Sequence, residues 1–141
     1  MQPRQRVESL ESAFQEDIGD RWFIPYIQLH EYEALLFSEI QCLASLFENR
    51  QSQIEILSKI NAQFESPELI NDGPQTAPSK RIIRCIPEYK NLKTTVGPLA
   101  AEYIGLITLR SRCSHFHEWV EQLEALGSAL DATPREDHSG D

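Results

Sequence analysis

The sequence predicts a single α/β domain, and three observations lead to that fold class. Residues 22–29, W-F-I-P-Y-I-Q-L, form an apolar, β-prone run long enough for one strand and too short for a buried helix. Residues 31–37 are strong helix formers with two carboxylates in the first turn, which the helix dipole favours. Several other segments repeat apolar residues at helical spacing. A strand-to-helix junction is therefore expected near His30.

The segment before the predicted strand reads as an amphipathic helix over residues 5–17 that ends near Gly19, a natural C-terminal stop. Its apolar positions are Val7, Leu10, Ala13 and Phe14. The predicted strand contains Pro25, which favours an edge position or a bulge because proline offers no N–H to a sheet.

The segments after the junction predict more helices and one long loop. The helices are expected at 38–47, 51–64, 80–85, 98–104, 106–112 and 114–126. Ser38, Ser79 and Ser114 are candidate N-caps. Residues 66–78 hold three prolines and no period, which is typical of a loop. The polar stretch beyond Gly127 predicts a folded domain over 1–127 and a disordered tail over 128–141.

Composition narrows the class of protein. A chain of 141 residues with 40% hydrophobic residues has room for one domain with a modest core, and the net charge of −9 argues against a protein that coats nucleic acid. The segment from Ser79 to Lys93 nevertheless has a local charge of +4, which permits a small phosphate-facing patch. No stretch is long and apolar enough to span a membrane, so a cytoplasmic protein is expected. Three widely spaced cysteines favour buried, reduced thiols over disulfides or a zinc site.

The predicted junction carries the candidate site residues His30, Glu31 and Glu33. Ligands and metals bind at the carboxyl ends of strands in open α/β sheets, and carboxylates suit Mg²⁺. The alternative is an ordinary acidic first helical turn, or a structural histidine for His30. A zinc-protease motif is excluded, because Ala34 occupies the position four after His30.

A pair of histidines, His115 and His117, opens the last predicted helix. Residues two apart on a helix face different directions, so the pair does not favour a shared metal ion.

Several uncommon strings occur in an order that resembles one bacterial family. They are F-I-P-Y-I-Q-L-H-E-Y-E-A-L-L-F at 23–37, E-S-P-E-L-I-N-D-G-P-Q-T-A-P-S-K-R-I at 65–82, P-E-Y-K at 87–90, and I-G-L with R-x-R-C-x-H-F-x-x-W within 104–119. From about residue 7 to residue 126 the chain is similar to the family called domain of unknown function 4276.

That resemblance implies a Toprim-like α/β domain of the kind that handles phosphodiesters with Mg²⁺. The chain lacks the E-G-x-x-E and D-x-D patterns that hold the metal in such folds. It therefore looks like the carboxyl-terminal part of a family member, a partial Toprim-like fold that is helix-rich with few strands.

The resemblance also implies roles for particular residues. Glu31 and Glu33 are expected as metal ligands, with Glu31 and Lys90 as catalytic residues. Lys80, Arg81 and Lys90 are expected to face nucleic-acid phosphates, against the alternative of a solvated basic surface. His30 is a further polar candidate.

The functional expectation is part of a metal-dependent, nuclease-type protein of a phage-defence system, inactive alone and acting on DNA or RNA. The alternatives are a non-catalytic module that docks on an ABC or AAA ATPase, and a truncated gene remnant. A sheet without its neighbouring strands also predicts self-association.

Overall fold

A computed structural model of the chain describes residues 2–70 and 73–131. This part of the chain is helical, with seven α-helices and two 3₁₀ segments. The α-helices are α1 (Pro3–Ile18), α2 (Glu33–Leu36), α3 (Gln51–Asn61), α4 (Pro78–Cys85), α5 (Tyr89–Ile104), α6 (Leu106–Arg112) and α7 (Ser114–Asp131). The 3₁₀ segments are Phe37–Ser45 and Pro67–Leu69.

The predicted α/β fold class is wrong, because residues 2–70 and 73–131 contain no β-strand. The run 22–29 begins in a turn and continues without helix or sheet pairing. Its backbone N–H groups find other partners: Phe23 donates to the Asp20 carbonyl at 3.0 Å, and Ile27 donates to Glu11 Oε1 at 2.8 Å. Of the side chains that suggested a strand, Trp22 is 42% exposed, Leu29 is buried, and those between them are half-buried.

The core surrounds the short α2 and the 3₁₀ segment that follows it. Ala34, Leu36 and Phe37 are fully buried there. The other helices contribute fully buried residues from their inner faces: Ile54 and Leu57 of α3, Ile82 of α4, and Tyr89 and Ala100 of α5. Residues 34–37, A-L-L-F, are apolar on every side of the helix. Such a segment is stable only when all its sides are buried, as they are here.

The end of α1 confirms the stop predicted from the sequence. Gly19 has a φ of 67° and donates its N–H to the Gln15 carbonyl at 2.9 Å, which closes the last turn. Glycine is suited to this left-handed conformation because it has no Cβ. The junction after residues 22–29 differs from the prediction, which started the helix at Glu31. His30 also takes a positive φ of 65°, and α2 begins at Glu33.

The prediction placed the start of a helix at Pro98, but α5 begins nine residues earlier at Tyr89 and contains Pro98. Proline removes one backbone hydrogen bond from a helix, and the packing of buried Tyr89, Val96 and Gly97 outweighs that loss. Gly97 allows the Tyr32 ring to approach the backbone of α5 closely, because a Cβ at position 97 would lie 3.3 Å from Cε1 of Tyr32. The Tyr32 hydroxyl donates to the Gly97 carbonyl at 3.0 Å.

Two predicted serine caps are not formed. Ser38 is buried inside the 3₁₀ segment, with its Oγ 3.3 Å from Cys113 Sγ. Ser79 lies within α4, which begins at Pro78, a residue preorganised for the first helical position. The last helix is longer than predicted, since α7 passes Gly127 and continues to Asp131. Residues 132–141 of the predicted tail lie outside the described residues.

The cysteines Cys42, Cys85 and Cys113 are free thiols, as predicted, but only Cys113 is buried and the other two are half-buried. Burial raises the pKa of Cys113 to about 11, so this thiol is neutral at physiological pH. Among the described helices, none combines the length and the apolar character needed to cross a membrane.

Candidate functional site

A pocket of about 220 Å³ lies where α1 and α7 meet the segment 22–29, which contributes Pro25 and Tyr26. Its lining is rich in polar and aromatic side chains, including Glu8, Glu11, Tyr26, His115, Glu118 and Trp119. A concave site with convergent titratable groups is the usual place to look for function. Both helices contribute residues at spacing three, Glu8 and Glu11 from α1 and His115 and Glu118 from α7.

The centre of the pocket is a buried carboxylate–histidine pair. His115 Nε2 lies 2.8 Å from Glu11 Oε1, and the two side chains are 4% and 14% exposed. The same Glu11 oxygen accepts the N–H of Ile27 at 2.8 Å. Glu11 therefore joins α1 to both α7 and the segment 22–29, and it fixes the orientation of the His115 imidazole ring.

Aromatic rings pack beside the Glu11–His115 pair. Tyr26 stacks on His115 with ring centroids 5.2 Å apart and on Trp119 with centroids 4.7 Å apart. Burial raises the pKa of Tyr26, and the charges of Glu68 and Glu11 raise it further. The Tyr26 phenol is therefore neutral, and its hydroxyl bonds Oε1 of Gln28.

Arg4 bonds two of the carboxylates that line the pocket, Glu8 and Glu118. Its Nε lies 2.8 Å from Glu8 Oε1, one terminal nitrogen lies 2.6 Å from Glu118 Oε2, and the other donates to Ser114 Oγ at 2.7 Å. Glu8, His115 and Glu118 have ligand atoms within 4.8 Å of one another, a spacing compatible with a metal ion. Arg4 already neutralises both carboxylates of that group, so a cation there would have to displace its guanidinium.

The N-terminus of α7 is held by Glu68, from the 3₁₀ turn Pro67–Leu69. One Glu68 oxygen accepts the N–H of His115 at 3.0 Å, and the other accepts the N–H of Phe116 at 3.1 Å. Glu68 is 3% exposed, and a carboxylate suits the positive end of a helix dipole. This contact sets the position of His115 against Glu11.

The predicted metal ligands Glu31 and Glu33 lie elsewhere, at the start of α2. The Glu31 carboxylate accepts the N–H of Ser79 in the first turn of α4. Glu33 is 8% exposed, and its Oε1 accepts the Tyr89 hydroxyl at 3.1 Å. Each carboxylate thus contacts a different helix.

The fit of Mg²⁺ to these two residues is poor on chemical grounds. Mg²⁺ keeps several waters in an octahedral shell, whereas Glu33 is buried and bonded to a phenol. A magnesium ion at Glu33 would have to share the carboxylate with the Tyr89 hydroxyl. The metal assignment stays a prediction.

The predicted cations are distributed along α4 and α5. Lys80 and Lys90 are exposed, and Lys90 is next to buried Tyr89. Arg81 is half-buried and donates from Nε to the Thr76 carbonyl at 2.8 Å. Their roles toward phosphate stay predictions, as does any role of His30, which lies at the bend before α2.

Sequence reasoning missed Glu11, Tyr26 and Glu68 as site residues. The sequence signal for His115 was its place in the string R-C-S-H-F-H-E-W, but its partner Glu11 is 104 residues away. The expectation that His115 and His117 face different ways is confirmed, since His117 Nδ1 accepts from Arg110 Nε at 2.9 Å.

Comparison with known proteins identifies the family. No curated protein and no solved structure matches the chain. The family model described as domain of unknown function (DUF4276) matches residues 2–124, which confirms the resemblance of the sequence strings. Because that match covers most of the sequence, the chain belongs to the DUF4276 family.

Proposed function

We propose that this protein is a non-catalytic protein-binding module, in which Glu31 and Glu33 stabilise the fold instead of holding Mg²⁺. The observation that carries the proposal is the internal bonding of both carboxylates, Glu31 to the backbone of α4 and Glu33 to the Tyr89 hydroxyl. Metal-dependent phosphodiester chemistry needs carboxylates that are free to coordinate the ion.

The bonding of the arginines supports a protein partner over a nucleic acid. Arg81 and Arg84 donate to the carbonyls of Thr76 and Gln75, so both hold the loop before α4. With a net charge of −9, the chain has few cations left to neutralise phosphates.

Exposed apolar side chains provide the surface for such a partner. Ile107 is 87% exposed, and Tyr103 and Leu106 are 61% and 52% exposed at the corner between α5 and α6. Phe14 and Ile18 are each 51% exposed on α1. Large apolar residues grouped on a surface mark contacts with other macromolecules.

The proposal predicts that Mg²⁺ leaves the stability of the protein unchanged and that the protein does not nick supercoiled plasmid DNA. A specific site with Mg²⁺ present at about ten times its Kd would add roughly 1.4 kcal/mol to the free energy of unfolding. Thermal unfolding with and without Mg²⁺ measures this directly.

Two variants and a control make the test specific. Glu31→Gln and Glu33→Gln alter the predicted ligands, and Glu39→Gln alters an exposed carboxylate of the following 3₁₀ segment. A stabilisation by Mg²⁺ that disappears in the first two variants and persists in the third would overturn the proposal. Nicking activity that Glu31→Gln abolishes would overturn it as well.

A further inference from the structure

We propose that two copies of this chain associate through antiparallel pairing of their α1 helices. This inference rests on the binding function proposed above and names the partner as a second copy. Four observations support it: an uncovered apolar stripe, the attachment of α1 through an adjoining face, a groove beside the stripe, and a charge pattern that complements itself.

The apolar stripe consists of Leu10, Phe14 and Ile18, which are 46%, 51% and 51% exposed. Residues four apart on a helix differ by roughly 40° in direction, so the three side chains follow one face over two turns. No residue of α1 is buried within its own chain. An amphipathic helix with its apolar face in water gains stability when a partner covers that face.

An adjoining face of α1 attaches the helix to its own chain. Arg4 bonds Glu118 and Ser114 of α7, and Glu11 bonds His115. Glu11 lies roughly 100° around the helix from Leu10 and roughly 60° from Phe14, but only roughly 20° from Ile18. The attachment therefore leaves Leu10 and Phe14 available and borders the stripe at Ile18, which is 51% exposed.

A groove of about 300 Å³ runs beside the stripe. Its lining mixes apolar and polar side chains, namely Pro3, Arg6, Val7 and Leu10 of α1 together with Gln28, Leu29 and His30. In an antiparallel pair in which Leu10 of one copy faces Phe14 of the other, each Phe14 ring lies next to this groove. The ring then packs against the apolar part of the lining, Val7, Leu10 and Leu29, beside the polar side chains of the same groove.

The charges of α1 favour the antiparallel direction. The N-terminal half carries Arg4, Arg6 and Glu8, of which Arg4 and Glu8 bond each other, and the C-terminal end carries Glu16 and Asp17. Arg6 and Asp17 are roughly three full turns apart, so both flank the stripe on the same side. Both side chains are exposed. With Leu10 facing Phe14, Arg6 of each copy comes beside Asp17 of the other, whereas a parallel pair would bring like charges together.

The proposal predicts a dimer in sedimentation equilibrium of the full chain. Phe14→Ser removes apolar contact and is expected to shift the chain toward monomer. Arg6→Asp and Asp17→Arg each place like charges together twice, because the twofold axis repeats the contact. Each reversal is expected to raise the dimer dissociation constant by about tenfold or more at low salt.

The double variant Arg6→Asp with Asp17→Arg restores opposite charges and is expected to return the dissociation constant to near the wild-type value. Ile107→Ser is the matched control, because it alters a more exposed apolar residue at the α5–α6 corner and should leave the dimer intact. Circular dichroism of each variant verifies that the helices are retained.

The outcomes separate this inference from the proposed function. A chain that is monomeric at all concentrations would overturn the pairing of α1. A dimer whose dissociation constant is unchanged by both Arg6→Asp and Asp17→Arg would overturn it as well. A monomer that also shows no response to Mg²⁺ would leave a binding module whose partner is another protein. Stabilisation by Mg²⁺ that depends on Glu31 and Glu33 would overturn the function itself, whatever the oligomeric state.

Discussion

At the scale of single residues, the contact between Tyr89 and Glu33 shows why a carboxylate beside a predicted junction is not evidence of a metal site. Tyr89 is fully buried, and its hydroxyl donates to Glu33 at 3.1 Å. Burial raises the pKa of Tyr89, and the neighbouring charge of Glu33 and the hydrogen bond raise it further. The phenol therefore remains a neutral donor, and it satisfies a buried carboxylate that would otherwise be costly.

Removing that donor tests its contribution to stability. We expect Tyr89→Phe to lower the free energy of unfolding by about 1–3 kcal/mol, because one oxygen of a buried acceptor loses its partner. Urea denaturation measures the loss. Lys90→Ala, at the exposed neighbouring position, is the control and should change stability by about 0.5 kcal/mol or less. Equal stability of Tyr89→Phe and the wild type would contradict this account of the pair.

At the scale of elements, the fold depends on carboxylates that accept hydrogen bonds from the first turn of a helix elsewhere in the chain. Glu68 holds the first turn of α7 with both carboxylate oxygens, and Glu31 accepts from the first turn of α4. The first N–H groups of a helix have no partner within the helix, so a carboxylate there satisfies donors and interacts with the dipole. Both carboxylates come from segments distant in sequence.

The cap at Glu68 leads to a prediction for α7. Glu68→Ala is expected to destabilise the protein by about 2 kcal/mol, since two backbone donors lose a buried charged acceptor. Chemical unfolding followed by circular dichroism provides the value. Glu65→Ala changes an exposed carboxylate three residues earlier and should have little effect. If both substitutions cost the same, the cap would not be the source of the loss.

At the scale of the whole molecule, stability is unevenly distributed. The core is formed by α2, α3, α4 and α5 around buried Phe37, whereas α1 contains no buried residue. Polar contacts of Arg4 and Glu11 hold α1 in place. Segments with few buried apolar contacts open at a lower free-energy cost than the core.

Hydrogen exchange tests this difference. We expect backbone amides of α1 to exchange faster than those of α5 in the Arg6→Asp variant, in which pairing with a second copy is weakened. Glu11→Ala should increase the exchange of α1 further, because the carboxylate joins the helix to His115 and Ile27. Glu16→Ala changes an exposed carboxylate at the other end of α1 and serves as the control. Protection of α1 equal to that of α5 would contradict the expectation.

Much of the helical content and several helix ends, at Ile18, Cys85, Ile104 and Arg112, could be predicted from local sequence. Apolar spacing predicted α1, α3 and α7, and the glycines Gly19 and Gly105 marked the end of α1 and the start of α6, because these features depend on neighbours within a few residues. The start of α5 was missed because Pro98 is a local signal against a helix, and tertiary packing of Tyr89 and Val96 overrode it. The candidate pocket was missed for a similar reason: its central contact joins residues 104 positions apart.

The sequence by itself determined the family, the acidic charge and the positions of most helices, since strings, composition and periodicity are properties of the chain alone. Only the tertiary structure decided the fold class and the bonding of Glu31 and Glu33. A β-prone run becomes a strand only when another strand accepts its hydrogen bonds, and residues 22–29 find Asp20 and Glu11 instead. A carboxylate likewise becomes a ligand or a structural acceptor according to what packs against it, which for Glu33 is the hydroxyl of Tyr89.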